Sequence, residues 1–340
     1  MVKNHKIETC IIRPIEHKDI DDFMSFAAVA GDGMTTVPRD KKTLKEKIER
    51  SLKSFAGKVR GPEAEYFMVM ENLLDKSLIG CTAVYPSIGY DFGFFSFRKI
   101  DYIHSNKILN IRQEVAALHV TNEYTGHSEV GSLILHPAWR GSGAAKLLVK
   151  SRYLLMAEHP DLFADFVVAE MRGYQDDNGQ SPFWNSVGAR FFDMSFAEAD
   201  LLSAVRGNQF IADLMPSYPL YLNLMDKQTQ KTFGKPFKDS EAALAMLKKE
   251  GFRFEGCVDI FDSGPQVIAE ISKIKTVKKS QTCLLSEAKI AAHQKPLIAC
   301  TRDLNQFQVR LLMGQGDDKA DLWHKTPWSK EETSVRTSPL

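Results

Sequence analysis

Trp139-Arg140-Gly141-Ser142-Gly143-Ala144-Ala145 is the stretch of this 340-residue chain whose residue types and spacing point most directly to chemistry. Two glycines one residue apart follow an arginine and precede an apolar, helix-like pattern. A turn of this kind gathers backbone N–H groups at the positive end of a helix dipole, where a pyrophosphate can sit. Arg140 adds a fork of donors beside them. The stretch has neither the Gly-Lys-Ser/Thr ending of a triphosphate-binding loop nor the full Gly-x-Gly-x-x-Gly of a dinucleotide site. Taken without its flanks, Gly-Ser-Gly-Ala-Ala favours an ordinary helix start, with Arg140 a solvated surface residue. The flanks favour the phosphate reading, because a strand is expected immediately before the turn and a helix immediately after it.

The strand is Val130 to Pro137, with Val130, Ile134 and His136 on one face and Gly131, Leu133 and Leu135 on the other. The helix carries Ala144, Leu147, Leu148, Ser151 and Leu155 at roughly helical spacing. Upstream, Thr9 to Arg13 reads as a strand ending in Pro14, and Asp19 to Ala30 as an amphipathic helix. Lys41 to Phe55 reads as a second helix, with Leu44, Ile48, Leu52 and Phe55 on one side and Lys or Glu on the other. Tyr66 to Met70 and Leu78 to Tyr85 are strands around a hairpin turn at Leu74-Asp75-Lys76-Ser77, and Val115 to Thr121 is a further strand. Downstream, Asp165 to Met171 is strand-like. Phe183 to Phe192 reads as a short helix, a glycine stop at Gly188 and another strand. Leu244 to Phe254 repeats that grammar around Gly251, which suggests either a distant duplication of half-folds or only a shared way of ending helices. Gln266 to Ile271 and Gln306 to Leu311 are strand-like, and a polar tail from Gly314 to Leu340 is expected to be loosely ordered at its end.

The bulk properties are those of a globular chain. Apolar residues make up 44% and charged residues 26%, and the formal net charge of +1 gives no electrostatic reason to expect nucleic acid or a membrane surface as partner. The five cysteines, Cys10, Cys81, Cys257, Cys283 and Cys300, are scattered without a Cys-x-x-Cys pair, as suits reduced thiols in the cytoplasm. Met1 to Arg13 has no apolar core of signal-peptide length, and no run reaches the roughly 20 apolar residues of a membrane span. The nine histidines do not cluster with cysteine or carboxylates at ligand spacing, so no metal is expected.

The loop fits the Arg-x-x-Gly-x-Gly/Ala pattern that GNAT-type acyltransferases wrap around the pyrophosphate of coenzyme A. A more specific resemblance follows from Thr125-Gly126-His127-Ser128-Glu129, Leu133-Ile134-Leu135-His136-Pro137-Ala138-Trp139-Arg140, Val167-Val168-Ala169-Glu170-Met171-Arg172-Gly173, Ser181-Pro182-Phe183-Trp184 and Phe210-Ile211-Ala212-Asp213-Leu214-Met215-Pro216. Glu250-Gly251-Phe252-Arg253-Phe254 and Asp259-Ile260-Phe261-Asp262-Ser263-Gly264-Pro265 continue it in collinear order, to about residue 310. Together these motifs resemble the arginine N-succinyltransferase family. The resemblance implies an α+β, GNAT-like acyl-CoA N-acyltransferase fold with a mixed, mostly antiparallel sheet, extended by a second half and a small mostly-β C-terminal region. It also implies succinyl-CoA as donor, and the α-amino group of L-arginine, or ornithine, as acceptor in arginine catabolism. The expected blocks are 1–200 for acyl-CoA binding, 201–265 to complete the acceptor site, and 266–340 for the C-terminal region with a flexible tail.

Such a transfer needs a deprotonated amine, a polarised thioester carbonyl and a route for the departing thiolate. Arg140, Gly141, Ser142, Gly143, Ala144 and Ala145 are expected to hold the cofactor, and Leu133 matches the family's succinyl-CoA position through its main chain. Glu129 and Glu170, each in a strand-like segment, are candidate general bases, though either could instead be a surface or ion-paired carboxylate. Arg172 suits a substrate carboxylate or a structural pairing with Glu170, and Asp213 suits a cationic acceptor or plain exposure on a helix. Two positions depart from the family. Tyr124-Thr125-Gly126 stands where His-Thr-Gly is usual, and Phe237 aligns with the histidine proposed as proton donor, unless the alignment slips by a residue or two. The acid role then passes to Tyr124 or another group, or the thiolate leaves without one; alternatively the acceptor is a different amine, or catalysis is lost. Cys81 and Cys257 read as buried fillers. A non-catalytic subunit in a homo- or hetero-oligomer is the reading from another class.

Overall fold

The computed structural model describes residues 7–30, 40–90, 93–199, 202, 209–215, 218–313 and 326–340. Along the chain these form β1 (Cys10–Pro14), α1 (Ile20–Ala30), α2 (Lys41–Phe55), β2 (Tyr66–Asn72), β3 (Leu78–Tyr85), β4 (Ser96–Asn106), β5 (Ile111–Thr121) and β6 (Ser128–Leu135). Then come α3 (Ala144–Glu158), β7 (Phe166–Glu170), the short helices α4 (Pro182–Ser186) and α5 (Ala189–Phe192), β8 (Leu220–Tyr221), β9 (Arg253–Asp259) and β10 (Pro265–Glu270). Four strands close the chain: β11 (Gln281–Leu284), β12 (Leu297–Thr301), β13 (Val309–Leu312) and β14 (Ser334–Pro339). No described helix is long and apolar enough to cross a membrane.

The chain divides into two compact units interleaved in sequence. The first comprises residues 1–87, 127–167 and 270–340, and the second 88–126 and 168–269. In the first unit the strand order is β11-β14-β12-β13-β1-β2-β3-β6, every neighbouring pair antiparallel. Helices α1 and α2 lay Phe23, Phe26, Leu44 and Ile48 against Phe67, Val69, Cys81 and Ile134 of the sheet. Asp40 caps α2 by accepting from the Thr43 N–H at 2.8 Å. Helix α3 is buried on nearly every side, so that even Lys150 is sequestered, donating to the Pro339 carbonyl at 2.7 Å.

In the second unit β10-β9-β4-β5-β8 are antiparallel neighbours, with β7 beside β10. Phe97, Leu118, Phe183, Trp184, Val258 and Phe261 form its core. The hairpin β4/β5 runs for eleven residues on each side, longer than the Val115 to Thr121 strand expected.

Three other expectations are corrected. Ala189 to Phe192 is helix α5, not a strand, and Gly188 is right-handed (φ −55°, ψ −49°) rather than a left-handed stop. Glycine is needed there for space, because a Cβ would lie 2.2 Å from the Trp184 ring. Gly251 does close its helix in the left-handed region at φ +111°, so the two units of supposed duplication end by different physics. The tail's end is ordered: β14 pairs with both β11 and β12, while residues 314–325 of that tail lie outside the described residues.

Candidate active site

Strand β6 carries a bulge where it pairs with β3. Ile134 faces Cys81 and Gly131 faces Ala83, so Ser132 and Leu133 together oppose Thr82. Ser132 takes φ +51°, a left-handed conformation uncommon for a residue with a side chain, and it lies inside a strand. Such a bulge re-aims main-chain groups away from the ladder. Leu133, half-buried, is in it.

After β6 the chain makes a 3₁₀ turn at Pro137–Trp139 and then the glycine turn. Gly141 and Gly143 sit at φ +79° and +93°, where a Cβ would be strained. Ser142 locks the turn by donating to the Trp139 carbonyl at 2.7 Å and accepting from the Ala144 N–H at 3.2 Å. The N–H groups of Gly141 and Gly143 have no partner among the described residues. Gly143 is the N-cap of α3 and offers no side chain there, so among the described residues no N-cap side chain competes with an anion for the positive helix end. Arg140 is exposed at the turn's entry.

Glu129 lies on β6 opposite Tyr85 of β3. Burial pushes its carboxyl up to about 7, with the Lys47 ammonium pulling the other way. Gly131, next on the same face, leaves room for both neighbours: a Cβ there would lie 3.3 Å from the Tyr85 ring and 3.8 Å from the Glu129 carboxylate.

In the second unit β7 ends at Glu170, whose Oε2 accepts from Gln266 Nε2 of β10 at 2.7 Å. Gln266 is fully buried, and its Oε1 has no partner among the described residues. Asp259 and Asp262 are also buried. Asp259 Oδ1 accepts the Phe261 and Asp262 N–H groups at 2.8 Å, and Asp262 accepts from Gly173 at 2.7 Å and Gly264 at 2.8 Å. Burial, then the charges of Glu170 and Asp262, raises the Asp259 carboxyl well above the usual carboxylate range. Asp262 is raised too, by burial, against the pull of the Gly173 N–H and the Arg172 guanidinium. The backbone is tightly crossed here, since a Cβ on Gly264 would stand 1.8 Å from the Met171 carbonyl.

Arg172 stacks over the Phe196 ring at 5.5 Å. With its amide oxygen turned toward the guanidinium, Gln175 accepts from Arg172 Nε at 2.7 Å and Nη2 at 3.0 Å. Tyr124 is 3% exposed among Phe94, Val168, Cys257 and Ile268, and burial raises its hydroxyl, keeping it in the neutral form that can donate. Asp213 is exposed on the short helix Gln209–Leu214. Phe237 is half-buried, and its N–H donates to the Arg172 carbonyl at 2.7 Å while Pro236 bridges Gly173. Phe237 thus lies beside the end of β7.

Leu133, Glu129 and residues 140–145 thus fall in the first unit, and Tyr124, Glu170, Arg172 and Asp213 in the second. Cys81 and Cys257 are buried, and all five thiols are free. Among the described residues, no group of three or more His, Cys, Asp or Glu is placed to hold a metal. Sequence reading did not single out Gln266, Asp259 or Asp262, although the last two stood inside a quoted motif; Asp-x-x-Asp-x-Gly-Pro is the signal that could have found them. Lys47 gave no such signal, since it reads as one more cation on the polar side of α2.

A bulged strand, a turn with two left-handed glycines and a helix opening at the second of them sit in an α+β fold, and the relatives of the chain make it an acyl-CoA-dependent N-acyltransferase. The family model described as the arginine N-succinyltransferase beta subunit matches residues 10–276. An arginine N-succinyltransferase of Shigella flexneri is 36% identical over 307 residues, covering 90% of this chain and 89% of its own length, and one of Escherichia coli is 36% identical over 303 residues, covering 89% and 88%. The solved arginine/ornithine succinyltransferase subunit AI of Pseudomonas aeruginosa superposes with a TM-score of 0.83 at 29% identity, covering 98% of this chain and 99% of that one. The chain belongs to the arginine N-succinyltransferase family.

Proposed function

We propose that this protein transfers the succinyl group of succinyl-CoA to the α-amino group of L-arginine, or ornithine, in cytoplasmic arginine catabolism. The observation that carries the reading is the 36% identity, sustained over 90% of the chain, to a protein of that name. The glycine turn, with Arg140, holds the pyrophosphate, and the main chain at Leu133 receives the thioester oxygen as it gains charge. Glu129, or Glu170 through water, takes the proton of the attacking amine. The carbon–sulfur bond then breaks, and the thiolate leaves with a proton from Tyr124 or from solvent. Thiolates are good leaving groups, with a thiol pKa of about 8.5 by analogy with cysteine, so the phenyl ring of Phe237 in place of a histidine does not stop the reaction. Arg172 supports recognition of a substrate carboxylate. Glu170 and the open Gln266 Oε1 supply acceptor oxygens for a cationic acceptor, a role also proposed for Asp213.

The test is release of free CoA from succinyl-CoA with and without L-arginine, with acetyl-CoA as control donor. Arginine-dependent release specific to succinyl-CoA is expected. Tyr124 and Phe237 motivate a second reading, a different amine acceptor, which an acceptor screen with arginine and ornithine inert and another amine active would establish. CoA binding without turnover on any acceptor would point to a chain that needs a partner subunit.

A further inference from the structure

Helix α2 presents Lys and Glu along one side, and Lys47 is the member of that series that turns inward. Its side chain is 11% exposed and forms an ion pair with Glu65, itself 3% exposed. The ammonium lies over the rings of Phe67 and Tyr85, 5.0 and 5.1 Å from their centroids, and donates to the Tyr85 hydroxyl at 3.1 Å. That hydroxyl meets Ser132 Oγ at 3.1 Å, at the left-handed residue of the β6 bulge. The Ser132 carbonyl in turn accepts from Cys81 Sγ at 3.3 Å. A chain of contacts therefore runs from Lys47 through Tyr85 to the bulge that presents Leu133, and Tyr85 is also the cross-strand partner of Glu129.

We propose that Lys47 is a positioning residue for succinyl transfer, holding Tyr85, its cross-strand partner Glu129 and the Ser132 bulge in register. An apolar side chain would fasten α2 to the sheet without removing two charges from water, because a buried ion pair gives little or no stability over well-packed hydrophobes. The buried charge is accounted for by what it faces. The ionisable groups around it are Glu65, Tyr85, Cys81 and Glu129, and Lys47 is the cation that opposes burial at Glu129. The inference rests on the reading of Glu129 as base and of β6 as the thioester strand.

The experiment measures kcat/KM against pH with succinyl-CoA and L-arginine for the full chain and four variants. In Lys47→Met/Glu65→Gln neither charge is left buried alone, and the acid limb is expected to move up by about one pH unit or more. Lys47→Arg keeps the charge and holds the limb near its original place. Tyr85→Phe keeps the ring, and therefore the packing, and lowers kcat several-fold with KM for succinyl-CoA unchanged. A folded double variant with an unmoved limb, or a Tyr85→Phe enzyme with full kcat, overturns the proposal while the reading of Glu129 stands. The fourth variant, Glu129→Gln, removes the limb; if the limb persists, the reading of Glu129 fails and the inference with it.

Discussion

As the proposed base, Glu129 imposes a definite pH response. Burial raises its carboxyl to about 7, so the reactive, deprotonated form accumulates as pH rises through that value. The expected outcome is a kcat/KM that climbs through about pH 7 and flattens above it, with Glu129→Gln lowering kcat by about 10²-fold or more. Stopped assays of CoA release between pH 5.5 and 9 would show both. At the phosphate turn, Arg140→Ala removes an exposed charged donor without disturbing packing. Calorimetric CoA affinity should weaken by about 10- to 100-fold, the equivalent of one charge-assisted hydrogen bond. An affinity equal to that of the parent would remove Arg140 from the donor site. The left-handed turn at Gly141 and Gly143 was legible in the sequence because glycine spacing records backbone conformation directly. Gln266, Asp259 and Lys47 were not, since burial of a polar side chain is decided by strands far away in sequence.

At the level of elements, the turn between β6 and α3 owes its conformation to two left-handed glycines. Gly143→Ala should cost about 1–2 kcal/mol of stability from conformation alone and weaken CoA as the turn relaxes, which thermal melts with and without CoA would separate. Gly264→Ala is expected to be worse, about 3 kcal/mol or more, because the new methyl has no space beside the Met171 carbonyl. A soluble Gly264→Ala protein with an unchanged melting temperature would contradict the close crossing. Elements with one buried face announced themselves: α2 was bounded to the residue by its apolar spacing. Strand β4 escaped notice because its distal half is exposed on both faces, and alternation carries no signal where neither face is buried. The bulge at Ser132 left no mark either, for a residue with a side chain says nothing about a positive φ. The strand after Gly188 was misread because that glycine makes room for a tryptophan instead of ending a helix.

The whole molecule weaves two units from alternating stretches of chain, and composition could not reveal this, since the glycines and prolines near the first crossings read as ordinary turns and the later crossings fall at strands β7 and β10. Legible at this scale were the α+β class and the family, both carried by motifs in collinear order. The terminal strand gives the sharpest test. Deleting Ser334–Leu340 removes the strand between β11 and β12 and leaves two unpaired edges, so the truncated protein is expected in the insoluble fraction; soluble expression with a parental circular dichroism spectrum would refute that. A related consequence concerns time. Strand β1 pairs on one side with β2, close in sequence, and on the other with β13, where Ile11 meets Arg310. Ribosomes add roughly 5–20 residues per second, so the about 300 residues between those partners take on the order of 15–60 s to emerge. Throughout that interval the newborn chain carries an open sheet edge in the middle of its future core, and yield in the cell is governed by how well that edge is shielded until its distant partner is made.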